Sequence, residues 1–314
     1  MNENLHQLLR CPACRAGLAT PGGQLTCLNE SCKCTYPVID GIPVLINESS
    51  SIFSINDFLG RKPTFFRPRH RLLKFAIKLL PDIDKNFKAA KNLNYFARLL
   101  PKESERPVVV IIGASHAGRG TEALLSNPGI NCIESDVSFG PRTTLICDAH
   151  RLPFENNSID GVIIQAVLEH VLDPYQCVRE IHRVLKPQGL VYAESAFIQQ
   201  VHGQRYDFTR FTHLGHRRLF RQFEEISSGA VGGTGMALAW AYRYFLLSLV
   251  KSHTARLLVG AFARLTAFWL KYLDYLLIDR PASLDAASAF YFLGRKDDRI
   301  LEDRDLIRLY RGAA

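Results

Sequence analysis

The sequence lacks the features that mark secreted and membrane-spanning proteins. Residues 1–10 are polar and contain no apolar core of signal-peptide length. No uninterrupted apolar run reaches the roughly 20 residues that a membrane-spanning helix requires. The chain also has no convincing internal repeat. These absences predict a cytoplasmic protein.

The composition is typical of a globular protein. Of the 314 residues, 47% are hydrophobic and 22% are charged, and the length allows one large core plus a small appended module. The formal net charge of +9 favours contact with anions such as nucleic acid, phosphorylated lipid or acidic glycan. The charge does not choose between these, and a basic surface that only aids solubility explains it equally well.

Changes in composition divide the chain into four regions. Residues 47–60 are rich in Ser and Asn and are predicted to form a linker, and residues 61–105 are predicted to be helical and basic. The predicted domains are a cysteine-rich module at 1–46, a linker and basic helical segment at 47–105, a core at 106–228, and C-terminal helices with a final strand completing the core at 229–314.

Five of the eight cysteines lie within the first 34 residues. Without an export signal, clustered cysteines indicate a metal site rather than disulfides. Two cysteine pairs can place four thiolates at the corners of a tetrahedron, as structural zinc prefers, and metal binding could supply most of the folding energy of a 46-residue module. The predicted ligands are Cys11, Cys14, Cys27 and Cys32. Cys34 competes for the fourth position, but a dipeptide gap rarely lets both sulfurs reach one ion. Free cysteines without metal are the alternative.

A strand–turn–strand pattern follows the cysteines. The run Tyr36-Pro-Val-Ile-Asp-Gly-Ile-Pro-Val-Leu45 carries Asp40-Gly41 at its predicted turn. With the cysteine pairs, this run resembles the small zinc-ribbon proteins that activate tRNA and protein methyltransferases as partner subunits. The same ribbon occurs fused ahead of bacterial methyltransferase domains. The resemblance covers about 45 residues and implies a stabilising or substrate-presenting role.

A buried strand, a glycine turn and a helix are predicted at the start of the core. Residues 108–112 are all Val or Ile, and Gly113, Gly118 and Gly120 lie in the turn before a predicted helix at 121–125. Such a turn lets a nucleotide approach the backbone and the helix N-terminus. The spacing does not match the Gly-x-Gly-x-x-Gly pattern of dinucleotide binding, which argues against a nicotinamide cofactor. An ordinary strand–helix turn is the alternative.

Acidic residues end the next two predicted strands. Asp136 follows the glycine turn by about 20 residues, where a carboxylate can bind both ribose hydroxyls. Asp148 could accept a hydrogen bond from an adenine amino group. Short apolar strands alternate here with helical segments, which favours a parallel sheet. These further strands are predicted at 130–136, 144–148, 158–164 and 190–194.

Three blocks make this series resemble the class I S-adenosylmethionine-dependent methyltransferases. They are Asp148 to Phe154, Leu168-Glu169-His170, and Arg183 to Gly189. The resemblance covers residues 106–225. It implies an α/β fold with a Rossmann-like, seven-stranded, mostly parallel sheet, and S-adenosylmethionine as cofactor. By position it implies that the cofactor is bound by Gly113, Ser115, Gly118, Asp136, Asp148, Ala149 and Gln165.

The glycine loop departs from the family pattern at two points. Ile111 stands where the family usually has an acid, and Ala-Ser-His-Ala at 114–117 replaces a shorter Gly-x-Gly. The amino group of the methionine tail is therefore expected to be held differently, for example by backbone carbonyls or by Ser115. A degenerate, non-catalytic domain is the alternative.

The segment after the fifth predicted strand is dense in polar and aromatic residues, as an acceptor site would be. Its Asp-Phe-Thr-Arg-Phe-Thr part resembles a block in methyltransferases of bacterial glycan and lipid biosynthesis. His202 is the first candidate for general base, because histidine titrates near neutrality. Asp207 could orient or replace it, and Arg210 could bind an acidic substrate group. A structural corner made by Tyr206, Asp207 and Arg210 is the alternative. Glu169 and His170 are predicted to be packing residues, with a catalytic role as the alternative.

The C-terminal region opens with a predicted glycine-rich turn, Gly229 to Gly235. It then contains two apolar segments, 236–250 and 257–277, interrupted by cations. Such helices suit the surface of an anionic membrane at its inner face, and the basic segment at 61–78 adds to that reading. The alternatives are a lid or extra layer over the sheet, or a dimer interface.

The leading hypothesis is methyl transfer to a hydroxyl of a small molecule, glycan or glycolipid, with S-adenosylmethionine as cofactor and zinc as structural metal. An RNA or protein methyltransferase is the second hypothesis, although no Asn/Asp-Pro-Pro-Tyr block follows the fourth predicted strand. A non-catalytic scaffold that binds a partner through the zinc ribbon is the third. Nucleic acid is the less favoured partner, and a homo-oligomer remains compatible with the sequence.

Overall fold

A computed structural model describes residues 3–64, 79–100 and 106–313. The strands are β1 (Leu18–Ala19), β2 (Leu25–Cys27), β3 (Thr35–Tyr36), β4 (Val38–Ile39), β5 (Ile42–Leu45), β6 (Val108–Ile112), β7 (Asn131–Asp136), β8 (Leu145–Cys147), β9 (Ile159–Gln165), β10 (Leu185–Ala196), β11 (Phe223–Gly232) and β12 (Ala289–Lys296). The helices are α1 (Glu3–Leu8), α2 (Ile55–Leu59), α3 (Ala89–Leu99), α4 (Glu122–Leu125), α5 (Pro174–Val184), α6 (His213–Leu219), α7 (Thr234–Ser248), α8 (His253–Ala267), α9 (Asp274–Leu277), α10 (Ser283–Ala286) and α11 (Asp303–Arg308).

The main sheet is mixed but mostly parallel, as predicted. Its order is β11-β12-β10-β9-β6-β7-β8-β5-β4. The five pairs from β10 through β9, β6, β7 and β8 to β5 are parallel, and β12 runs antiparallel between β10 and β11. Because the carboxyl ends of the parallel strands share one edge, the residues that follow them are brought together there.

The predicted number of strands was wrong, because the sheet has nine strands within the described residues rather than seven. The two additional strands, β4 and β5, come from the cysteine-rich region. Val44 pairs with Ile146 and Leu45 with Cys147, so β5 extends the edge beside β8. This pairing satisfies backbone groups that an open sheet edge would expose.

The predicted hairpin is present, and its turn explains its sequence. Val38 pairs with Pro43 and Ile39 with Ile42. Asp40 and Gly41 between them have φ values of 50° and 80°, which are typical of the tight turns that join antiparallel strands.

Side chains of β6 alternate between the two faces of the sheet. Val109 and Ile111 pack against α3 on one face, whereas Val110 and Ile112 pack towards α5 on the other. The N-terminal residues Leu9 and Tyr36 belong to the same buried cluster as the α5 face. The cysteine-rich region is therefore packed directly on the core.

Three predictions outside the parallel strands had different outcomes. The predicted turn at Gly229–Gly235 was wrong, because most of it lies in β11; a Cβ on Gly229 would approach the Tyr291 ring to 3.3 Å, so this glycine allows close packing. The predicted linker contains α2. The predicted helical segment contains α3, but residues 65–78 and 101–105 lie outside the described residues. Its cations Arg67, Arg69, Arg71, Lys74 and Lys78 lie outside them as well.

The C-terminal region contains the two expected long helices, α7 and α8. Neither these nor the other described helices combine the length and apolar character needed to cross a bilayer. Residues 289–296 form the predicted final strand.

Candidate active site

A crevice lies at the carboxyl ends of β6, β7, β8 and β9. It encloses about 730 Å³, part of it open to solvent. Four of the predicted cofactor residues line it, namely Gly113, Asp136, Asp148 and Ala149. The strand order therefore brings together residues that are 36 positions apart in the sequence.

Gly113 ends β6 in a conformation that favours glycine. Its φ is 81°, and a Cβ at this position would come within 2.3 Å of Cγ2 of Val167. A side chain here would strain the backbone and push Val167 into the crevice. The glycine thus keeps the floor of the crevice open to a ligand.

Asp136 lies at the end of β7 and is 6% exposed. The backbone N–H of Ser115 donates a hydrogen bond of 2.8 Å to its Oδ2 atom, which holds the carboxyl beside the glycine loop. Burial raises the pKa of Asp136. Ser115 itself is buried at this contact. The predicted pair of loop and carboxylate is therefore in direct contact.

Asp148 is held from two sides. His150 Nδ1 lies 2.6 Å from its Oδ1 atom, and the Ser51 hydroxyl donates a hydrogen bond of 2.5 Å to its Oδ2 atom. Burial would raise the pKa of Asp148, but the hydrogen bonds and charge of His150 and the Ser51 hydroxyl together lower it. The carboxyl is therefore an ionised acceptor at the crevice.

The segment predicted to be a linker contributes to this crevice. Ile52 and Phe53 line it together with Tyr206, and the rings of Phe53 and Tyr206 lie 6.0 Å apart. The Ser- and Asn-rich sequence gave no indication of this role, because the contacts depend on residues about 100 to 150 positions away.

Gly118 and Gln165 lie beside the crevice and close to each other. A Cβ on Gly118 would meet Oε1 of Gln165 at 2.3 Å, and Nε2 of Gln165 donates to the carbonyl of Arg119. Neither residue is part of the described crevice lining. They join the glycine loop to the end of β9.

A second pocket adjoins the crevice. Ala166, with a φ of 52°, lines both cavities and forms their shared wall. The second pocket encloses about 570 Å³, and its polar lining comes from the segment before α3, the loop after β6, the segment after β9, and β10. These include Asp84, Arg119, Glu169 and Glu194.

Glu169 is the most unusual group in the second pocket. It is 1% exposed, and burial raises its pKa to about 7. The N–H of Ala196 donates to Oε1 at 3.3 Å, whereas Oε2 has no hydrogen-bond partner among the described residues. A buried carboxyl that titrates near neutrality is suited to accept a proton.

The neighbouring Glu194 is better satisfied. Tyr192 donates its hydroxyl to Oε1 at 2.5 Å, and Asn86 donates to Oε2 at 2.8 Å. Burial raises the pKa of Glu194 as well. Because both oxygens accept hydrogen bonds, Glu194 is the less suitable proton acceptor.

His202 lies behind Glu169 rather than in the described lining of either cavity. Its Nε2 atom is 3.9 Å from Oε1 of Glu169, and its ring packs edge-on against His170 with centroids 4.8 Å apart. Burial lowers the pKa of His202, so the ring is neutral at pH 7.

Asp207 and Arg210 hold the loop that carries His202. Asp207 Oδ2 accepts from the N–H groups of His202 and Gly203 at 2.8 and 2.9 Å, and Oδ1 pairs with Arg210 at 2.5 Å. The guanidinium also donates to the carbonyls of Gln199, Gln200 and Thr209. This arrangement positions the loop and leaves the carboxylate 3.7 Å from His202 Nδ1.

The cysteine cluster has the geometry of a metal site. Cys11 and Cys32 have sulfurs 3.8 Å apart, and those of Cys14 and Cys27 are 3.4 Å apart. All four sulfurs lie within 4.8 Å of one another. A tetrahedral zinc with bonds of about 2.3 Å places its sulfurs about 3.8 Å apart, so this donor set fits zinc.

Comparisons with known proteins agree with these features in part. Residues 115–193 match the family described as a methyltransferase domain. Over 99 residues the chain is 34% identical to the ubiquinone/menaquinone biosynthesis C-methyltransferase UbiE of Cellvibrio japonicus, which covers 31% of this chain and 36% of that protein. Over 53 residues it is 30% identical to a UPF0434 protein of Nitrosococcus oceani, which covers 17% of this chain and 90% of that protein.

A chain of the complex between the Haloferax volcanii Trm112 methyltransferase activator and the putative methyltransferase has a similar structure. The alignment covers 66% of this chain and 89% of that chain, with 18% identity and a TM-score of 0.43. Two further curated relatives match over short stretches, which span only 12% and 18% of those proteins' own lengths. The match to the UPF0434 protein spans nearly all of that protein, so the chain belongs to that family through this stretch, and its residues 115–193 match a methyltransferase domain.

Proposed function

We propose that this protein transfers a methyl group from S-adenosylmethionine to a hydroxyl of an acceptor bound beside Glu169. The observation that carries the proposal is the shared wall at Ala166. It places the cofactor crevice next to a pocket that contains a buried, incompletely paired carboxyl.

The crevice residues suit the adenosyl end of the cofactor. Asp136 would bind the ribose hydroxyls, and Asp148 and Ala149 would bind the adenine. The open floor at Gly113 admits the ligand to the backbone. Ser115, Gly118 and Gln165 would bind the methionine end, since they belong to or contact the glycine loop. The cofactor supplies an electrophilic methyl group on a sulfonium, and the protein supplies position and a proton acceptor.

Glu169 would accept the proton of the acceptor hydroxyl as the new C–O bond forms. His202, which the sequence suggested as the base, would instead be a neutral neighbour of Glu169, with its Nε2 atom 3.9 Å from Oε1 of that residue. Asp207 and Arg210 would be positioning residues for this loop, because their polar atoms bind one another and the backbone. The carboxyl groups in the pocket lining suit an acceptor that donates hydrogen bonds from hydroxyls, such as a small molecule, glycan or glycolipid.

Incorporation of radioactive methyl groups tests this function. The purified protein, labelled S-adenosylmethionine and separated fractions of source-cell extract are incubated together, and products are treated with mild base. Label in small-molecule, glycan or lipid fractions that survives base and is released as methyl iodide by hydriodic acid supports a methyl ether at a hydroxyl, because C-methyl groups are not cleaved by that acid. Label only in RNA or protein would support the second hypothesis. Cofactor binding without transfer to these fractions, or no cofactor binding, would favour a non-catalytic scaffold.

We also propose that the four cysteines bind one structural zinc, in a ribbon of the methyltransferase-activator type. Metal there would affect the cofactor crevice through Arg151, whose guanidinium donates to the carbonyls of Pro12 and Ala13 at 2.8 and 3.0 Å. Arg151 follows His150, the partner of Asp148. The metal would therefore stabilise one wall of the crevice.

We predict that Cys27→Ser removes zinc and lowers the Tm by about 5 °C or more, because metal binding contributes folding free energy. Zinc content is measured by atomic emission and the Tm by calorimetry. Cys132→Ser, in a half-buried cysteine of β7, is the matched control and should retain one zinc per chain. Cys34→Ser should retain it as well. Loss of zinc in Cys34→Ser, or its absence from the unmodified protein, would contradict the proposed ligand set.

A further inference from the structure

The segment from α7 to α9 exposes an extensive apolar surface. Twelve large apolar side chains in this segment are exposed in the described structure, and their exposed fractions range from 41% to 74%. They are Leu238, Phe245, Leu249, Leu257, Leu258, Phe262, Leu265, Trp269, Tyr272, Leu273, Tyr275 and Leu276. Contiguous apolar surface of this kind marks an interaction site.

The exposed residues follow helical spacing. On α8 and just beyond it, Leu258, Phe262, Leu265 and Trp269 recur every three or four positions and form one stripe. The opposite side of α8 is closed, because Ala263 and Ala267 are buried. Helix α8 therefore has one face that contacts the protein and one that does not contact the described residues.

The exposed charge of this segment has one sign, because its one acid, Asp274 of α9, is buried. Residues 226–273 contain no Asp or Glu, whereas they contain Arg243, Lys251, Arg256, Arg264 and Lys271. Lys251 and Arg256 are exposed where α7 and α8 join. A second copy of this chain would bring cations against cations in a symmetric contact, which disfavours self-association through this face. An anionic surface complements both the charge and the apolar stripe.

The same segment borders the pocket of Glu169. Met236, in the first turn of α7, lines that pocket, and Trp240 donates its indole N–H to Asp84, which lines it too. The ammonium of Lys85, another lining residue, contacts the hydroxyl of Tyr275. The pocket is thus flanked by the aromatic end of the exposed surface.

We propose that this surface docks on an anionic membrane, with α7 and α8 lying in the interface, so that the acceptor is an amphipathic, lipid-linked hydroxyl compound. The identity of the acceptor rests on the proposed function, whereas the docking does not. Tyr272 and Tyr275 would lie at the level of the lipid headgroups, where aromatic side chains with a polar end are favoured. The polar end of a lipid would then meet the pocket of Glu169 without leaving the membrane.

Co-sedimentation with vesicles tests the docking. The full-length protein is mixed, without cofactor, with vesicles of phosphatidylcholine alone or with about 30% phosphatidylglycerol. We expect binding to the anionic vesicles that weakens at about 0.5 M salt and is at least about tenfold weaker with phosphatidylcholine. The double variant Leu258→Gln with Phe262→Gln should lose at least about tenfold in affinity.

A control removes two exposed apolar side chains from α11 and its end. The double variant Ile307→Gln with Leu309→Gln should bind vesicles as the unmodified protein does, because these residues lie outside the segment. Failure to bind anionic vesicles overturns the proposal, and so does unchanged binding by the α8 variant. A dimer in light scattering that the α8 variant dissociates would show a second copy on this face instead. These outcomes are independent of methyl transfer, since no cofactor is present.

Discussion

Glu169→Gln is expected to lower the rate of methyl transfer by about 10²- to 10⁴-fold, the usual contribution of a positioned general base. Glutamine has nearly the same shape and can still accept the hydrogen bond from the N–H of Ala196. It cannot take up a proton from the acceptor. The variant should therefore keep the affinity for S-adenosylhomocysteine that the unmodified protein has, as measured by calorimetry.

The pH profile separates this role from a structural one. Burial raises the pKa of Glu169 to about 7, and the ionised form is the base. The rate of the unmodified protein should accordingly rise with pH between about 6 and 8, whereas that of Glu169→Gln should not show this rise. Glu134→Gln is the matched control. Glu134 lies in β7, pairs with Arg142 and lines neither cavity. If Glu169→Gln retained the unmodified rate and pH profile, Glu169 would not be the base.

Asp136→Ala is expected to weaken the binding of S-adenosylhomocysteine by about 100-fold or more. The carboxylate would accept hydrogen bonds from two ribose hydroxyls, and hydrogen bonds to a charged group contribute about 1.5–3 kcal/mol each. A loss of about 3 kcal/mol corresponds to about 100-fold in Kd. The variant also removes the acceptor for the N–H of Ser115, which would loosen the glycine loop. Calorimetric titration measures the Kd directly.

Asp160→Asn separates a lost contact from a general loss of stability. Asp160 is also a buried carboxyl of this sheet, but it lies near the start of β9 and binds Lys186 and the N–H of Val108. Its replacement should lower the Tm and leave the Kd for S-adenosylhomocysteine nearly unchanged. A similar loss of affinity in both variants would mean that Asp136 acts only through stability.

The parallel half of the sheet was predictable because its signals are local. Strands buried on both faces are almost continuously apolar, as at 108–112, and the polar residues that follow them must lie at one edge. Asp136 and Asp148 could therefore be placed at one crevice before any coordinates. The pairing of β5 with β8 could not, because it joins Leu45 to Cys147, about 100 positions away, and no local pattern encodes such a partner.

Glu169 was interpreted as a packing residue for the same reason. Its burial is imposed by the end of β10 and the segment that follows. The N–H of Ala196 donates to the Glu169 side chain, and the N–H groups of Phe208 and Thr209 donate to the Glu169 carbonyl. The available signal was an acid beside His170 within the otherwise apolar run Ala166 to Val171. For Asp207 and Arg210, the predicted alternatives of catalysis and a structural corner could not be separated without the loop geometry.

The most direct test of this account is a crystal structure of the full-length protein with S-adenosylhomocysteine. We expect the adenosine between Asp136 and Asp148, with its ribose hydroxyls at the carboxylate of Asp136. The sulfur should point past Ala166 towards the pocket of Glu169. Density for the ligand elsewhere, or a sulfur directed away from that pocket, would contradict the account.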